Sequence, residues 1–539
     1  MITSEWYWES QDTVLGAFSR ALSATPNKIF LDFSGDMYTY QEFDQMTNRL
    51  ANSLLNIGIQ PGETVASMLD NGIDAVASWF AINKIGAISV PLNTGLRGAF
   101  LQHQIIDSQA AIFICESEYL GRITEFSDGL DLVKLVLCRG EVKFDPKCKV
   151  TVAPFNEYRG EDESPLSMIS KPEDIACIIY TSGTTGLAKG SMQSHNFLCN
   201  IARQRLLINP ASTEDITFTP MPLFHNNAIA TGVVGTILSG GRIAIAPRFS
   251  VSAFWSEIER SGATINSMIG SMATLLANAP DNEFSIRCFG QIHTVRGVGF
   301  SDAIKAAWRT RFGAIHVGSN DYGMTEAHPI TSLAANEFAA PDSSGKRNFE
   351  FDVRIVDEHD RELPVNTPGE IILRPLKPNI MFNGYWRRAD ATLNAFQNMW
   401  FHTGDIGKFD ENGFFYFLDR KKDYLRRRGE NISSYEMESA FKLHPEILEV
   451  AVHAVNLQTN EDEVKVTAVL KPGSTLTEIA LCRWSIDKVP YYAVPRFIEF
   501  RKQLPKNTQD KVLKFQLRDE GYTPNTWDRT LSDIVVSKN

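Results

Sequence analysis

The stretch YTSGTTGLAKG, residues 180–190, has the side-chain types needed to hold an anion. It contains three glycines, four serines or threonines and one lysine. A glycine-rich turn after a strand can point successive backbone N–H groups at a phosphate, and hydroxyl and ammonium groups add further donors. The spacing is not that of the P-loop, G-x-x-x-x-G-K-[ST], because Lys189 comes three residues after Gly186. Taken alone, the stretch is equally compatible with a flexible surface turn.

Three further segments favour the phosphate-binding interpretation. They are NDYGMTEA at 320–327, WFHTGDIGKFDENGFFYFLDRKKDYLRRRGENIS at 400–433 and LPKNTQDKVLK at 504–514. Together with the loop, and in this order, they resemble the core motifs of the adenylate-forming (AMP-binding) superfamily, which includes acyl-CoA synthetases, peptide-synthetase adenylation domains and beetle luciferases. The resemblance covers nearly the whole chain. The stretch DRKKDYLRRRGENIS is similar in particular to the carnitine/crotonobetaine–CoA ligase-like branch.

The resemblance implies a binding site for ATP and Mg²⁺. The residues that would hold the β- and γ-phosphates are Thr181, Ser182, Gly183, Thr184, Thr185 and Lys189. Those around the adenine would be Tyr322, which stacks on the ring, with Asn320, Asp321 and Gly323. Thr325 would bond the α-phosphate, and Glu326 would ligate Mg²⁺. Glu326 taken alone would be an ordinary surface carboxylate, but its place within YGMTE favours the metal role.

The ribose of the nucleotide is assigned to a different segment. By the same resemblance, Asp405 in HTGD would accept both ribose hydroxyls, and Arg420 would add a contact. The TGD sequence is also common turn chemistry, so Asp405 alone could be a turn residue. Its position about 80 residues after YGMTE, directly before a β-rich run that ends at Arg420, favours the ribose role.

A carboxylate is a poor acylating agent, and its attack on the α-phosphate of ATP produces a reactive acyl-adenylate and pyrophosphate. This chemistry needs hydrogen-bond donors and cations rather than a protein nucleophile. The resemblance implies that Lys511 is the catalytic lysine, bridging the substrate carboxylate and the α-phosphate. Lys506 and Lys514 are competing lysines nearby. The chain departs from the family pattern at Asp510 and Asp419, where Gly is usual, and at Ala188, where Pro is usual.

Two half-reactions at one site require a rearrangement, and the resemblance implies a rotation of the C-terminal domain about Lys422. This rotation would withdraw Lys511 and bring the segment around Gly429 to the tunnel for the pantetheine arm of coenzyme A. The basic run Arg426, Arg427 and Arg428 has two open interpretations. It is either a solvated linker face or an attraction site for the 3′-phosphate of coenzyme A.

The acyl site is assigned to residues outside these motifs. His225 in PLFHNNA is a candidate gate, although a lone histidine is also a common packing residue. Gly297, Val298 and Gly299 in RGVGF, with Met324, are expected to line the pocket. A trimethylammonium acid such as carnitine would require aromatic or acidic pocket walls. The sequence does not identify the carboxylic acid.

These assignments predict an ATP-dependent acyl-CoA ligase, an acid–thiol ligase that forms acyl-AMP and then transfers the acyl group to coenzyme A. Three alternatives stay open: a stand-alone adenylation enzyme that loads a carrier protein, a luciferase-like oxygenase, and a nucleotide-binding module without catalysis. Light emission or oxygen uptake would identify the second alternative. Binding of ATP without carboxylate-dependent pyrophosphate release would identify the third.

Hydrophobic periodicity indicates the elements that must position these residues. From about residue 28, short apolar runs alternate with helix-length amphipathic segments, which predicts an α/β fold with largely parallel sheets. Thr39 and Glu42 resemble a helix capping box. A β-rich subdomain is predicted after residue 345, and a small α+β domain follows. The predicted boundaries are 1–419 for the N-terminal AMP-binding domain, 420–424 for a hinge and 425–539 for the mobile C-terminal domain.

Composition excludes several other classes. The 539 residues carry a net charge of −11, which argues against nucleic-acid binding. No apolar run approaches the roughly 18 residues that suggest a membrane span, and the N-terminus lacks signal-peptide features. The seven cysteines are scattered without a C-x-x-C pair, as is typical of free thiols in a reducing cytoplasm. We therefore expect a cytoplasmic enzyme with no integral membrane segment.

Overall fold

The computed structural model describes residues 11–142, 145–166, 170–181, 187–335, 337–420, 424–428, 430–457, 462–506 and 512–537. Two seven-stranded sheets form the body of the chain before residue 320, and each has six parallel strands with one antiparallel edge strand. The prediction of an α/β fold with largely parallel sheets is confirmed.

The strands of the two large sheets alternate with helices along the chain and lie side by side in a different order. In spatial order, the first sheet contains His316–Val317, Thr294–Arg296, Ile265–Ser267, Ile216–Thr219, Arg242–Ile245, Ile29–Phe33 and Asp36–Thr39. The second sheet contains Val152–Pro154, Leu135–Arg139, Ile112–Glu116, Thr64–Met68, Ile88–Pro91, Ile175–Thr181 and Lys189–Ser194. The last two strands of the second sheet flank the glycine-rich loop.

Antiparallel sheets follow, as the sequence predicted for the region after residue 345. A three-stranded sheet contains Tyr322–Met324, Ala327–Ser332 and Lys346–Arg347. A five-stranded sheet contains Phe351–Val356, Gly369–Pro375, Phe396–Gln397, Trp400–Phe409 and Phe415–Arg420. The C-terminal part has the hairpin Tyr424–Arg427 and Glu430–Ser433, and a sheet of Ile447–Asn456, Asp462–Leu470, Phe497–Phe500 and Trp527–Asp528.

Helices connect the parallel strands and cover the sheets. The α-helices are Val14–Ala24, Tyr40–Asn56, Ile73–Lys84, Gly98–Ser108, Leu120–Thr124, His195–Ile208, Gly235–Ser239, Phe254–Ser261, Gly270–Asn278, Glu283–Arg287, Asp302–Phe312, Ala389–Ala395, Ser434–Phe441, Glu478–Ser485 and Lys514–Glu520. Asn227–Val234 is a π-helix. Within the described part of the chain, every helix is too short or too polar to cross a lipid bilayer.

The helix Tyr40–Asn56 begins as its sequence predicts. The Glu42 N–H donates to the Thr39 hydroxyl at 3.1 Å, and the Glu42 carboxylate accepts from the Thr39 N–H at 2.8 Å. This reciprocal pair satisfies backbone donors that the first helical turn would otherwise leave without partners. The predicted capping box is confirmed.

Two large apolar clusters join these layers. One contains side chains from both parallel sheets and from the helices Val14–Ala24, Ile73–Lys84 and His195–Ile208. The other combines the second sheet and the helix Gly98–Ser108 with buried residues of the C-terminal domain, including Phe441 and Tyr492. The helices therefore hold the sheets in place, and the C-terminal domain packs on the second sheet.

Candidate active site

A cavity of about 1790 Å³ opens where the large sheets, the antiparallel sheets and the C-terminal domain meet. The residues predicted from sequence that line its wall are Thr181, Lys189, His225, Gly297, Val298, Gly299, Asn320, Asp321, Tyr322, Gly323, Met324, Thr325, Glu326 and Asp405. Of the other predicted positions, Arg420 ends the strand Phe415–Arg420. Ser182, Gly183, Thr184, Thr185, Gly429 and Lys511 lie outside the described residues, as do Lys422 and Asp510. The fold brings segments more than 200 residues apart to one cavity.

At one end of the cavity, a lysine and a buried carboxylate share a tyrosine. Thr181 and Lys189 are register partners in the antiparallel strands on either side of the glycine-rich loop. The Lys189 ammonium lies 4.1 Å from the centroid of the Tyr385 ring, a cation–π distance. The Tyr385 hydroxyl donates to the Glu326 carboxylate at 2.8 Å. Lys189 and Glu326, predicted from separate motifs, therefore contact the same side chain.

The Glu326 carboxylate fits the predicted contact with Mg²⁺. Glu326 is buried, and it lines the cavity at the end where Lys189 lies. Within the described residues, no group of three or more His, Cys, Asp or Glu side chains could hold a metal ion. Mg²⁺ is commonly bound by one or two carboxylates together with substrate phosphates. A single buried carboxylate that shares Tyr385 with the cation Lys189 matches that donor set.

The residues predicted for adenine and ribose lie in direct contact. The Tyr322 hydroxyl donates to the Asp405 carboxylate at 2.7 Å, and the Tyr322 ring stacks near Phe417 with a centroid separation of 5.8 Å. Asp405 is buried and lines the cavity. The backbone of Arg420 lies opposite Asp405 in the neighbouring strand. This arrangement presents an aromatic face and a carboxylate side by side.

A register irregularity within the strand Trp400–Phe409 sets the orientation of Asp405. Gly404 has a φ of 72°, in the left-handed region that a residue without a Cβ adopts most readily. The Asp405 N–H donates to the Thr403 hydroxyl at 3.1 Å, and that hydroxyl donates to the Ile371 carbonyl at 2.8 Å. The TGD sequence thus lies within a strand and supports a cavity carboxylate, and the interpretation of Asp405 as a turn residue is wrong.

Asn320 and Asp321, predicted near the adenine amino group, have protein partners. The Asn320 amide oxygen accepts from Lys305 at 3.1 Å. The Asp321 carboxylate is buried and contacts Arg205 at 3.0 Å and His328 at 3.2 Å. Burial alone would raise the pKa of Asp321, but the Arg205 charge and the His328 contact lower it to about 2. Asp321 therefore carries a stable negative charge that already serves an ion pair.

The predicted acyl wall is a close backbone contact between two loops. The Gly270 N–H donates to the Val298 carbonyl at 3.1 Å. Gly297 has a φ of 145°, and a Cβ there would lie 1.8 Å from the Met268 carbonyl oxygen. Only glycine fits at this position. The small residues of RGVGF thus bring the wall against the 268–270 segment.

His225, the candidate gate, contacts the C-terminal domain. Its Nε2 lies 3.2 Å from the Glu430 carboxylate. Burial lowers the pKa of His225, but the charge and hydrogen bond of Glu430 outweigh burial, so that the net pKa is raised. This contact joins the acyl side of the cavity to the hairpin that contains the predicted coenzyme A segment.

Ala188 makes a contact that proline could not make. Its backbone N–H donates to the Glu436 carboxylate at 2.8 Å, which links the end of the glycine-rich stretch to the helix Ser434–Phe441 of the C-terminal domain. Proline has no N–H to donate. Burial raises the pKa of Glu436 to about 7, although the hydrogen bond from Ala188 works in the opposite direction. The departure from the family pattern at Ala188 therefore has a structural counterpart.

Arg427 fits neither interpretation of the basic run. Its guanidinium is buried and lies 2.8 Å from the Glu463 carboxylate, and it donates to the carbonyls of Tyr492 and Val494. It is thus neither solvated nor available to a phosphate. Its neighbour Arg428 is exposed.

The two lysines that compete with Lys511 have carboxylate partners in their own domain. Lys506 lies 2.8 Å from Glu449, and Lys514 lies 2.6 Å from Glu438. The role of Lys511 stays a prediction from the resemblance, because that residue is outside the described part of the chain.

Sequence reasoning missed three side chains that shape the cavity: Tyr385, Arg205 and Arg296. Tyr385 follows the turn dipeptide Asn-Gly in MFNGYW. An aromatic residue directly after such a turn was the feature of the sequence that could have indicated it. Arg296 ends the strand Thr294–Arg296, whose three residues are all buried, and a charge in a buried strand was its signal. Arg205 lies on a mostly buried helix and had no comparable signal.

Comparison with known families identifies the chain. The family model described as "AMP-binding enzyme" matches residues 18–386, and the model described as "AMP-binding enzyme C-terminal domain" matches residues 436–511. The protein belongs to the AMP-binding enzyme family, and the resemblance inferred from its motifs is confirmed.

Relatives with assigned names extend this result. The crotonobetaine/carnitine–CoA ligase of Escherichia coli is 30% identical over 495 residues, which cover 89% of this chain and 93% of that protein. The prediction of an AMP-forming acyl-CoA synthetase is confirmed at the level of enzyme class. The use of ATP, with coenzyme A as co-substrate, fits this family.

Two solved structures have the same fold. The o-succinylbenzoate CoA synthetase of Bacillus subtilis, with a bound product analogue, matches with a TM-score of 0.80 at 23% identity and covers 95% of this chain and 99% of its own. An anthranilate CoA ligase in complex with anthranoyl-AMP matches with a TM-score of 0.71 at 25% identity, covering 95% and 98%. The large N-terminal domain and small C-terminal domain expected from sequence are confirmed.

Proposed function

We propose that this chain activates a small carboxylic acid in the cavity, with Lys189, Tyr322, Thr325, Glu326 and Asp405 binding ATP. The observation that carries the proposal is the convergence of two contact pairs on one cavity. Tyr385 contacts both Lys189 and Glu326, and Tyr322 contacts Asp405. This convergence supports a triphosphate site and a nucleoside site on one wall.

Each group would act on a different part of the nucleotide. The Lys189 ammonium would offset phosphate charge, and the Thr325 hydroxyl would donate to the α-phosphate. Asp405 would accept from the ribose hydroxyls, and the Tyr322 ring would stack on the base. Preorganised donors and cations around developing phosphate charge contribute most of the rate enhancement in such reactions. Lys511 would add the cation between the carboxylate and the α-phosphate.

Glu326 would hold Mg²⁺ together with the phosphate oxygens. The ion would supply charge neutralisation on the polyphosphate. The Tyr385 hydroxyl, which donates to a Glu326 oxygen at 2.8 Å, would fix the orientation of the carboxylate toward the cavity. A hydrogen-bonded carboxylate of this kind is typical of metal ligands.

We also propose the domain organisation for the second half-reaction. The chain would divide at 1–419, 420–424 and 425–539, with rotation about Lys422. Gly429 would line the path of the pantetheine arm, near the contact between His225 and Glu430. Lys422→Pro fixes φ near −65° and should impair thioester formation while sparing adenylation. An unchanged overall rate would exclude this hinge.

A cytoplasmic location is proposed for the same enzyme. All seven cysteines have free thiols and are buried, which matches a reducing compartment.

The test of the proposed activity is acid-dependent pyrophosphate release. Short, branched, aromatic and betaine acids would be incubated with ATP and Mg²⁺, with and without coenzyme A. We expect acyl-AMP and pyrophosphate with at least one acid, and AMP with an acyl-CoA product when coenzyme A is added. Oxygen consumption in place of thioester would favour the luciferase-like alternative. The proposal would be contradicted if ATP binds but none of the acids causes pyrophosphate release.

A further inference from the structure

The cavity wall contains two buried guanidinium groups close together. Arg205 and Arg296 both line the cavity, and only 6% and 2% of their surfaces are exposed. They come from the helix His195–Ile208 and from the end of the strand Thr294–Arg296, directly before Gly297. Positive charge is therefore concentrated beside the wall predicted to hold the acyl group.

The described carboxylates nearby do not balance both arginines. Asp321 pairs with Arg205 at 3.0 Å and also contacts His328. Asp215 lies in the same region, but its oxygens accept from His293, Thr264 and Ser212. The charges of Asp321 and Arg205 neutralise each other. Arg296 has no ion pair among the described residues.

Arg296 also has unused hydrogen-bonding capacity. One of its terminal nitrogens donates to the Asn209 carbonyl at 2.8 Å, at the end of the helix His195–Ile208. Its buried Nε has no hydrogen-bond partner within the described part of the chain. Burial and the neighbouring Arg205 charge lower the pKa of Arg296 to about 9, although the Asp215 charge works in the opposite direction. Arg296 therefore stays protonated at pH 7.

Arg427 is a useful contrast because it is buried to a similar degree. Its guanidinium has a carboxylate, Glu463, at 2.8 Å and two backbone carbonyls. An unpaired buried charge costs far more free energy than a paired one. A guanidinium that lacks such a partner at a cavity wall is well suited to an anionic ligand, because its fork of N–H donors matches a carboxylate.

We propose that Arg296 is a subsite for a second anionic group on the substrate, so that the preferred acid is a dicarboxylic acid. One carboxylate would react with ATP, and the other would bind the Arg296 guanidinium. This inference rests on the proposed function. It also disfavours a trimethylammonium acid, because a quaternary ammonium favours aromatic or anionic surroundings and would lie against two arginines.

Asn227 and Thr231 narrow the same end of the cavity. The Thr231 hydroxyl donates to the Asn227 side-chain oxygen at 2.5 Å, and Ser267 donates to the same oxygen at 3.2 Å. Both Asn227 and Thr231 come from the π-helix Asn227–Val234 and line the cavity. A polar floor of this kind suits a charged distal group better than an alkyl end.

The experiment compares acids matched in length. Pyrophosphate release would be measured with succinate, glutarate and adipate, with butanoate, pentanoate and hexanoate, and with 4-(trimethylammonio)butanoate. We expect kcat/KM for the best diacid to exceed that of its matched monoacid by about tenfold or more, the scale of a charge-assisted hydrogen bond. Diacids that react no better than monoacids, or a preference for the ammonium acid, would overturn the subsite.

Variants separate ligand binding from a structural role of Arg296. Arg296→Gln should raise KM for the diacid about tenfold while the monoacid rates change by less than about threefold. Arg296→Lys, which keeps the charge, should restore part of the diacid preference. Arg203→Gln alters another buried arginine, on the same helix as Arg205 and away from the cavity wall, and it should keep the preference. Equal losses for all acids in Arg296→Gln would mean that the residue only holds the helix end.

Direct binding keeps the inference distinct from the proposed function. Calorimetry with the best diacid, without ATP, should detect binding to the parent enzyme and at least about tenfold weaker binding to Arg296→Gln. Binding of the diacid with no pyrophosphate release from any acid would exclude the proposed function and support the subsite. Pyrophosphate release from monoacids, with no diacid binding, would support the function and exclude the subsite.

Discussion

At the proposed nucleotide end of the cavity, Tyr322, Thr325 and Glu326 come from one eight-residue segment, and Asp405 comes from a second. At the acyl end, Arg205, Asn227 and Arg296 come from a helix, a π-helix and a strand. The proposed nucleotide contacts can therefore be recognised in short contiguous motifs, whereas the proposed acyl contacts depend on how distant elements pack. The residues that such an enzyme uses for its shared chemistry lie close together in the sequence, whereas those proposed to select its substrate do not.

The largest effect is expected at Lys511, which would serve the nucleotide and the acid together. Lys511→Ala should lower the rate of adenylate formation by about 10²–10³, taking loss of an oxyanion donor as the guide. Thioester formation from preformed acyl-AMP should change far less. Rapid-quench measurement of each half-reaction tests this, with Lys502→Ala, at an exposed position, as the control. Equal losses in both half-reactions would remove Lys511 from the catalytic role.

The next effect concerns Glu436, where the two domains meet. Its pKa is raised by burial to about 7, so the folded state binds a proton that the unfolded state has released above about pH 4.5. The free energy of unfolding should therefore fall as pH rises from about 4.5 to 7, by about 3 kcal/mol from this group. Glu436→Gln should remove that dependence.

Urea denaturation of the parent and of Glu436→Gln at about pH 5, 6, 7 and 8 measures this change. The stability of the variant relative to the parent should increase with pH across the series. Glu118→Gln, at an exposed position, is the control and should leave the pH dependence of the parent unchanged. Parallel curves for the parent and Glu436→Gln would show that the Glu436 carboxyl titrates normally.

A smaller effect is expected at Asp405, entirely within the nucleotide end. Asp405→Asn keeps the shape and loses the charge, and KM for ATP should rise about 10- to 100-fold, as for loss of hydrogen bonds to a charged group. KM for the acid should change little, because Asp405 lies in the nucleotide motifs. Steady-state kinetics with each substrate varied separately measure both, with Glu411→Gln as an exposed control. A comparable rise in KM for the acid would mean that the cavity does not have separate nucleotide and acyl ends.

The smallest effect is expected at Ala188. Ala188→Pro removes the N–H that donates to Glu436 at 2.8 Å, which should destabilise the contact between the domains by about 1 kcal/mol, or about fivefold. Thioester formation should slow by that factor, whereas adenylation should be retained. Ala188→Gly keeps the N–H and is the matched control. Identical half-reaction rates in both variants would mean that the hydrogen bond does not influence the domain arrangement.

Much of the fold could be predicted from sequence because its signals are local. The capping box of Thr39 and Glu42 and the alternation of apolar runs with amphipathic segments each depend on residues a few positions apart. The division of the parallel strands into two sheets was not predictable in this way. Strands Ile88–Pro91 and Ile175–Thr181 are neighbours in the second sheet, although three other strands of that sheet lie between them in the chain.

In the candidate site too, residues could be assigned from local motifs, but their contacts could not. Glu326 and Asp405 were assigned from their motifs, but their partners Tyr385 and Tyr322 were not foreseen as partners. Ala188 was noticed as a departure from the family pattern, and its contact with Glu436 required the position of the C-terminal domain. Arg427 was assigned to a solvated or phosphate-binding run, and its burial against Glu463 excludes both interpretations for that residue alone.

The sequence by itself determined the secondary structure, the family and the nucleotide chemistry, because each of these is encoded by neighbouring residues with a fixed periodicity or spacing. Only the tertiary structure decided that Arg296 lies buried beside the acyl wall with no carboxylate partner among the described residues. Whether a charge is neutralised depends on every element packed around it, and Arg205, Asp321 and Asn209 reach that point from separate parts of the chain.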